Sequence, residues 1–178
     1  MRPRGAVVLL LLAVLALAGC GEGNPDHPEN RAANGRVGSL LVRNLHVEEP
    51  RMQEHPAGSD VPVYLSLVNE GSVDDALLGG STPAAASVGL RRADPGAGPA
   101  RSVPRVPLPA SRTAELVPSS YFLMLDDLRR PLAAGQAVPI TLTFQRAGGL
   151  TLDVPVQLPG ADPLSPGERF GPSTPATR

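Results

Sequence analysis

Three long segments of the chain place an apolar residue at every second position. They are Val61 to Leu67, Val138 to Phe144 and Leu150 to Val156. A period of two that is sustained over seven residues predicts a β-strand with one buried face. The sequence Arg-Ala-Gly-Gly, which ends at Gly149, has the residues of a tight turn and predicts a hairpin between the last two strands.

Shorter segments are also typical of strands, and no stretch carries a helical apolar stripe. Pro62, Pro139 and Pro155 fall inside strand patterns, so each is expected at a strand end or a sheet edge, where no N–H is needed. Many short strands separated by turn residues predict an all-β chain that folds as an antiparallel sandwich or barrel. The additional strand candidates are residues 37–47, 87–92, 112–117 and 121–125.

The first twenty residues have the organisation of a bacterial export signal. Arg2 and Arg4 precede an unbroken apolar run from Ala6 to Ala18, which is too short to span a bilayer comfortably. The run closes with Leu-Ala-Gly-Cys, ending at Cys20, which resembles the bacterial lipobox. We expect cleavage before Cys20 and attachment of diacylglycerol and palmitate to it, which would hold the protein on the extracytoplasmic face of the cell membrane. The alternative is an ordinary secreted protein with a chance cysteine.

Composition narrows the classes of function. Cys20 is the only cysteine, so the chain can form neither an internal disulfide nor a cysteine-based metal site. Loss of Arg2 and Arg4 with the signal would leave 14 basic residues against 17 acidic ones, which gives no basis for a nucleic-acid surface. No nucleophile elbow, Ser/His/Asp spacing or phosphate loop indicates an enzyme.

These features divide the chain into four parts. Residues 1–19 are the expected signal peptide, and residues 20–36, rich in Gly, Pro, Asn and charge, are the expected flexible lipidated tether. Residues 37–158 are long enough for one domain with one core. Residues 159–178 carry many prolines and little apolar content, which predicts a disordered C-terminal tail.

Several segments, in order, resemble one known family. Residues 65–71 read Leu-Ser-Leu-Val-Asn-Glu-Gly and residues 78–85 read Leu-Gly-Gly-Ser-Thr-Pro-Ala-Ala. With residues 108–110, 121–125 and 138–144, they are similar to sequence blocks of the PCu(A)C-type extracytoplasmic copper chaperones. The resemblance spans residues 40–156. It implies a cupredoxin-like β-sandwich and delivery of Cu(I) outside the cytoplasm.

The family's copper ligands are largely replaced here. The resemblance places them at a His, a Met and a final His-x-Met, which suit soft Cu(I). The matching positions of this chain are Arg91, Ala100, Phe122 and Met124. Only Met124 keeps a ligand, and Arg91 has no lone pair to offer a metal. A methionine between leucines is also a common packing residue.

A second set of ligands lies in the segment after the first strand candidate. His46, Met52 and His55 fall within ten residues, and Met124 would complete a non-standard His/Met set if the fold brings it close. The alternative is a solvated polar loop with incidental histidines.

Three functions are compatible with these features, and the third is a structural envelope lipoprotein with no small ligand. The first is a membrane-anchored lipoprotein of the copper chaperone class that binds Cu(I) through His46, Met52, His55 and Met124. The second is a metal-free β-sandwich that serves as a protein-interaction module, with Phe122 adding an apolar patch where the metal once lay. The expected partners are membrane lipid through Cys20 and a copper-accepting or envelope protein outside the cytoplasm.

Overall fold

The computed structural model describes residues 32–160, apart from positions 95 and 97. This part of the chain forms thirteen β-strands, and it contains no helix that is long and apolar enough to cross a membrane. The expected signal peptide, Cys20 and nearly all of the expected tail lie outside the described residues. The strands are β1 (Ala33–Val37), β2 (Leu40–Val47), β3 (Glu54–His55), β4 (Val61–Asn69), β5 (Asp75–Ser81), β6 (Ala85–Arg92), β7 (Arg101–Ser102), β8 (Val106–Leu108), β9 (Arg112–Leu116), β10 (Tyr121–Leu128), β11 (Leu132–Ala133), β12 (Ala137–Phe144) and β13 (Gly148–Pro155).

Eleven strands form one curled sheet. Its order is β1-β2-β4-β9-β10-β6-β5-β12-β13, with β7 added beside β6 and β8 beside β5. β4 also pairs directly with β10, and β3 and β11 form a small separate sheet. The two edges meet where Val47 bridges Val156 and where the side chain of Leu152 packs against Gly35. The result is a nearly closed, mainly antiparallel sandwich, which confirms the predicted all-β fold.

One face of each alternating segment fills the interior. Fully burying an aliphatic side chain of this size contributes about 1.5–3 kcal/mol, so these rows account for much of the core's stability. The inward residues of the central strands are Val61, Val63, Leu65 and Leu67 of β4, Leu123 and Leu125 of β10, and Val138, Ile140, Leu142 and Phe144 of β12.

The predicted strands all form, with one difference in detail. Residues 37–47 are divided by a turn at Gly38 and Ser39, so that β1 and β2 make a hairpin. β5 was not predicted, because it has no alternating pattern: Ala76 and Leu77 are both buried next to a register irregularity against β12. The predicted hairpin of β12 and β13 is confirmed, with Phe144 paired to Gly148.

Two of the three prolines lie close to strand ends, and the third lies where its strand has a neighbour on one side only. Pro62 is the second residue of β4 and Pro155 the last of β13. Pro139 lies inside β12, but the pairing of β12 with β5 begins only at Thr141. The carbonyl of Pro139 accepts instead from the Thr82 hydroxyl at 2.7 Å. The N–H and C=O of a strand residue point to the same side. The N–H that Pro139 lacks would therefore point to the side where β5 is not yet paired, and no inter-strand hydrogen bond is lost.

Both ends of the described chain lie at one end of the sandwich, which we call the entry end. Ala33 pairs with Leu45 there, and the Gln157 N–H donates to the Val47 carbonyl at 3.0 Å. The sheet therefore begins at Ala33, inside the segment expected as tether to residue 36, because backbone pairing with β2 and packing of Leu152 over Gly35 stabilise a segment with little apolar content of its own. The opposite end, with the turns at residues 38–39, 70–74, 109–111 and 145–147, we call the turn end.

Candidate functional site

A bulge in β2 turns His46 to the outer surface of the sandwich. The inward positions of β2 switch from even to odd numbers, and Leu45 and Val47 both point into the core. The switch occurs at Asn44, which has a positive φ of 53° and whose N–H donates to the side-chain oxygen of Asn34. Bulges of this kind re-aim a side chain, and here the residue re-aimed is His46.

His46 begins a row of side chains that crosses four strands on the outer surface. It pairs with Tyr64 of β4, and the two rings lie 5.7 Å apart between centroids. The Tyr64 ring lies 6.4 Å from that of Phe122 on β10, and Phe122 pairs with Arg91 on β6. Both ring pairs are tilted, a favourable arrangement for aromatic contacts. Two of the family's ligand positions therefore lie in one row with His46.

Met124 lies in the next row, between Pro62 and Gly89. Gly89 leaves room for the guanidinium of Arg91, which a side chain there would strike. Nη2 of Arg91 donates to Oδ1 of Asp126 at 2.6 Å, and both side chains are about three-quarters buried, with 22% and 24% of their surface exposed. The charged side chain of Arg91 thus covers Gly89, the residue opposite Met124.

The fourth family position, Ala100, directly precedes β7. β7 pairs with β6 on the side away from β10, and Ser102 lies opposite Arg91. The positions that the resemblance assigned to copper ligands therefore converge on three adjacent strands. Their chemistry is a guanidinium, a methyl group, a phenyl ring and one thioether, and only the thioether of Met124 is a metal donor.

Glu48 links this surface to the loop that follows β2. Oη of Tyr64 donates to Oε1 of Glu48 at 3.0 Å, and Nε2 of His55 donates to the Glu48 carbonyl at 2.8 Å. The N–H of Glu48 donates to the carbonyl of Pro62. Burial, assisted by the charge and hydrogen bond of Glu48, raises the pKa of Tyr64 far above its usual value, so the phenol stays protonated.

His46 is 7% exposed and has one ring nitrogen engaged. Its Nδ1 donates to the Asn44 carbonyl at 2.7 Å. Burial lowers the pKa of His46, against the opposing effects of that hydrogen bond and of the Glu48 charge. The imidazole is therefore neutral near pH 7, and its Nε2 lone pair is available to a metal or a donor.

The four predicted ligands do not form one cluster. His46 and Met124 share the outer surface, but β4 lies between their strands and the two residues lie in different rows, which places their Cα atoms about 12 Å apart. Met52 is 77% exposed in the loop before β3, and His55 donates its Nε2–H to backbone, which leaves Nδ1 as its possible metal donor. Across residues 32–160, no group of three or more His, Cys, Asp or Glu side chains is placed to hold a metal ion.

Four residues of the site were not predicted from the sequence, namely Glu48, Tyr64, Gly89 and Asp126. An isolated glycine within a strand pattern signals close approach of another group, and Gly89 carried that signal. Asp126 and Glu48 meet their partners only through pairing of distant strands, which no local pattern reveals.

The fold is that of a known class of protein, the PCuAC domain. The copper-bound PCuAC domain from PmoF2 is 22% identical, with a TM-score of 0.60 over 71% of this chain and 99% of that one. Apo-DR1885 from Deinococcus radiodurans is 22% identical, with a TM-score of 0.51 over 88% of this chain and 94% of that one. The CuI form of DR1885 is 26% identical, with a TM-score of 0.50 over 71% and 81%.

Within that class, the chain matches one particular family. Residues 40–156 match the family described as "Putative lipoprotein LpqE-like", and the chain belongs to it. The sequence resemblance to PCu(A)C-type copper chaperones is thereby confirmed at the level of family and fold. No curated protein matches the chain.

Proposed function

We propose that this protein is a lipid-anchored, extracytoplasmic PCuAC-fold protein that binds another envelope protein through its outer surface in place of copper. The observation that carries the proposal is the Arg91–Asp126 pair, which covers Gly89 opposite Met124. The surface meant here is the outer side of β4, β10 and β6, with Tyr64, Phe122, Met124 and Arg91. Anchoring through Cys20 is supported by its lipobox-like sequence and by the lipoprotein description of the family.

Arg91 opposes metal binding in two ways. A guanidinium carries no free lone pair, and its permanent charge repels a cation bound to the thioether of Met124. Asp126 offsets part of that charge, so the absence of a lone pair is the stronger effect. A lone thioether with no imidazole beside it offers Cu(I) too few ligands to hold it.

The same surface has the composition of a protein interface. Aromatic residues, methionine and arginine are enriched in the centres of interfaces. Tyr64 and Met124 are half-buried, whereas Phe122 is only 8% exposed and supports the Tyr64 ring from below. A partner that covered this surface would contact Tyr64, Met124 and an arginine already held in place by Asp126.

A copper titration with restored ligands tests the metal-free part of the proposal. The full chain in a neutral detergent is titrated with Cu(I) against a competing chelator, alongside a variant carrying Arg91→His, Ala100→Met and Phe122→His. The natural chain is expected to leave copper with the chelator, while the variant takes up one ion. Stoichiometric uptake by the natural chain would overturn the proposal.

Copper binding remains the second candidate function, because two observations favour it. His46 offers a neutral imidazole with a free Nε2, and it shares the outer surface with Met124. A structurally similar PCuAC domain is copper-bound. If copper binds through the non-standard set, the affinity of the natural chain must fall in the double variant Met52→Ala, His55→Ala and in His46→Ala.

Membrane anchoring has its own test. Metabolic labelling with palmitate should mark the natural chain and leave a Cys20→Ser variant unlabelled. The variant should move from the membrane fraction to the soluble extracytoplasmic fraction. An unlabelled natural chain would refute the anchor without bearing on the metal.

A further inference from the structure

A small cleft at the turn end of the sandwich is lined by two arginines. It lies between the start of β5, the segment around β8 and the β12–β13 hairpin, and it has a volume of about 240 Å³. Arg105 and Arg146 line it together with Gln145, while Pro107 and Pro109 provide apolar walls. This volume is below the range of about 300–1,000 Å³ usual for drug-sized ligands, so the cleft suits a small group.

The two acidic residues of the cleft are already engaged by backbone donors. Asp75 accepts from its neighbour Ala76, and from Arg146 and Ala147 of the hairpin, at 2.7, 2.9 and 3.0 Å. Asp74 accepts from the Ala110 N–H at 2.8 Å. These bonds tie three turns together and draw the carboxylate oxygens toward the backbone. Among the described residues, neither acid forms an ion pair with Arg105 or Arg146.

The guanidinium groups of Arg105 and Arg146 have no partner within the described chain. The ion pairs formed by residues 32–160 involve other arginines, namely Arg36, Arg91, Arg92 and Arg101. A guanidinium presents a fixed fork of N–H donors that matches the paired oxygens of a carboxylate or phosphate. We propose that the cleft between Arg105 and Arg146 binds a small oxyanion, either a carboxylate or a phosphate group.

The cleft is separate from the outer-surface site. It lies at the turn end, whereas the described chain begins and ends at the entry end, where Ala33 pairs with Leu45 and Gly160 donates to Glu49. If the chain is anchored through Cys20, the cleft would face away from the anchored end. The proposal does not depend on whether the outer surface binds protein or copper.

NMR titration of the full chain in a neutral detergent tests the site. The Nε–H signals of the arginines are followed as sodium phosphate, sodium acetate or sodium chloride is added at equal ionic strength. Saturable shifts of the Arg105 and Arg146 signals with phosphate assign a phosphate group, with acetate a carboxylate, and with both a site for either. Equal, non-saturating changes in all three salts would overturn the proposal.

Matched variants separate specific binding of the anion from a non-specific effect of the protein's net charge. Arg105→Ala and Arg146→Ala are each expected to weaken the anion about tenfold, the effect of losing one charge-assisted hydrogen-bonding partner. Arg112→Ala removes an exposed arginine of the same end that does not line the cleft, and it should leave the affinity unchanged. Binding that survives in the Arg105→Ala, Arg146→Ala double variant would place the anion elsewhere and refute the site. Far-UV circular dichroism checks that each variant is folded.

Discussion

Arg91 reaches across Gly89 to place its Nη2 2.6 Å from Oδ1 of Asp126. Three residues on two strands thereby act as a unit: a glycine that leaves space, a guanidinium that fills it and a carboxylate that holds the guanidinium. The unit stands at a position where the PCu(A)C resemblance implies a histidine ligand. The guanidinium of Arg91 therefore lies at a position where the resemblance implies a bound metal ion, and the surrounding strands retain the PCuAC fold.

Gly89→Ala should displace Arg91 and break its pair with Asp126. A methyl group there would meet the guanidinium, and we expect a loss of about 1 kcal/mol in the free energy of unfolding, measured with urea. In an Arg91→Ala background the same change should cost little, because the obstructing group is gone. Gly149→Ala is the control, since its added methyl would meet only ordinary contacts at 3.8 Å and beyond. Additive costs in the Gly89/Arg91 double-mutant cycle would contradict this account.

Asn44 should tolerate glycine and resist alanine. Its φ of 53° lies in the left-handed region, where a residue other than glycine or asparagine costs about 1–2 kcal/mol. Asn44→Ala is expected to lower the free energy of unfolding by about 1 kcal/mol, and Asn44→Gly to change it by less than half of that. Urea unfolding measures both. Equal losses would mean that the side chain of Asn44, and not its backbone conformation, maintains the bulge.

Local sequence patterns determined much of the fold and part of the site. β4, β12 and β13 followed from alternation, because each has one face in the core and one outside. Motif spacing placed Arg91 and Phe122 where ligands would stand, and they lie on paired positions. The Arg91–Asp126 pair and the Tyr64–Glu48 bond could not be predicted, because they depend on which strands become neighbours and on a bulge that resets the parity of β2.

The sequence also suggested a His/Met cluster that the strands divide. His46 is fixed in β2 directly after the bulge, whereas Met52 lies in the following loop with its side chain in solvent. Proximity along the chain therefore did not give these two side chains the same surroundings.

The stability of the protein should fall as the pH drops below 6.5, in part because of His46. Burial lowers the pKa of this histidine in the folded state, so the unfolded chain takes up its proton first. The contribution is fully present above the unfolded pKa and is lost as the pH falls from there through the folded pKa. Urea unfolding from pH 7.5 to 5 should show a shallower fall for His46→Gln than for the natural chain. His55→Gln is the control, and a His46→Gln curve parallel to that of the natural chain would refute the assignment.

Tyr64→Phe should destabilise the link between the outer surface and the loop after β2. The substitution removes the hydroxyl that donates to Glu48 at 3.0 Å and leaves that carboxylate without this donor, at a cost of about 1 kcal/mol. The pH dependence gives a sharper test. Because the pKa of Tyr64 is raised in the folded state, its contribution is fully present below pH 10 and is lost as the pH rises from there toward the folded pKa.

The chain has two tyrosines, Tyr64 and Tyr121, so the phenolate absorbance of the folded protein can be assigned by substitution. At pH 11 the natural chain and Tyr64→Phe should show the same phenolate signal, since the Tyr64 phenol remains protonated while the fold persists. Unfolding in urea at that pH should add a second phenolate in the natural chain only. A smaller signal for folded Tyr64→Phe would show that Tyr64 already ionises, and that its contact with Glu48 does not persist in solution.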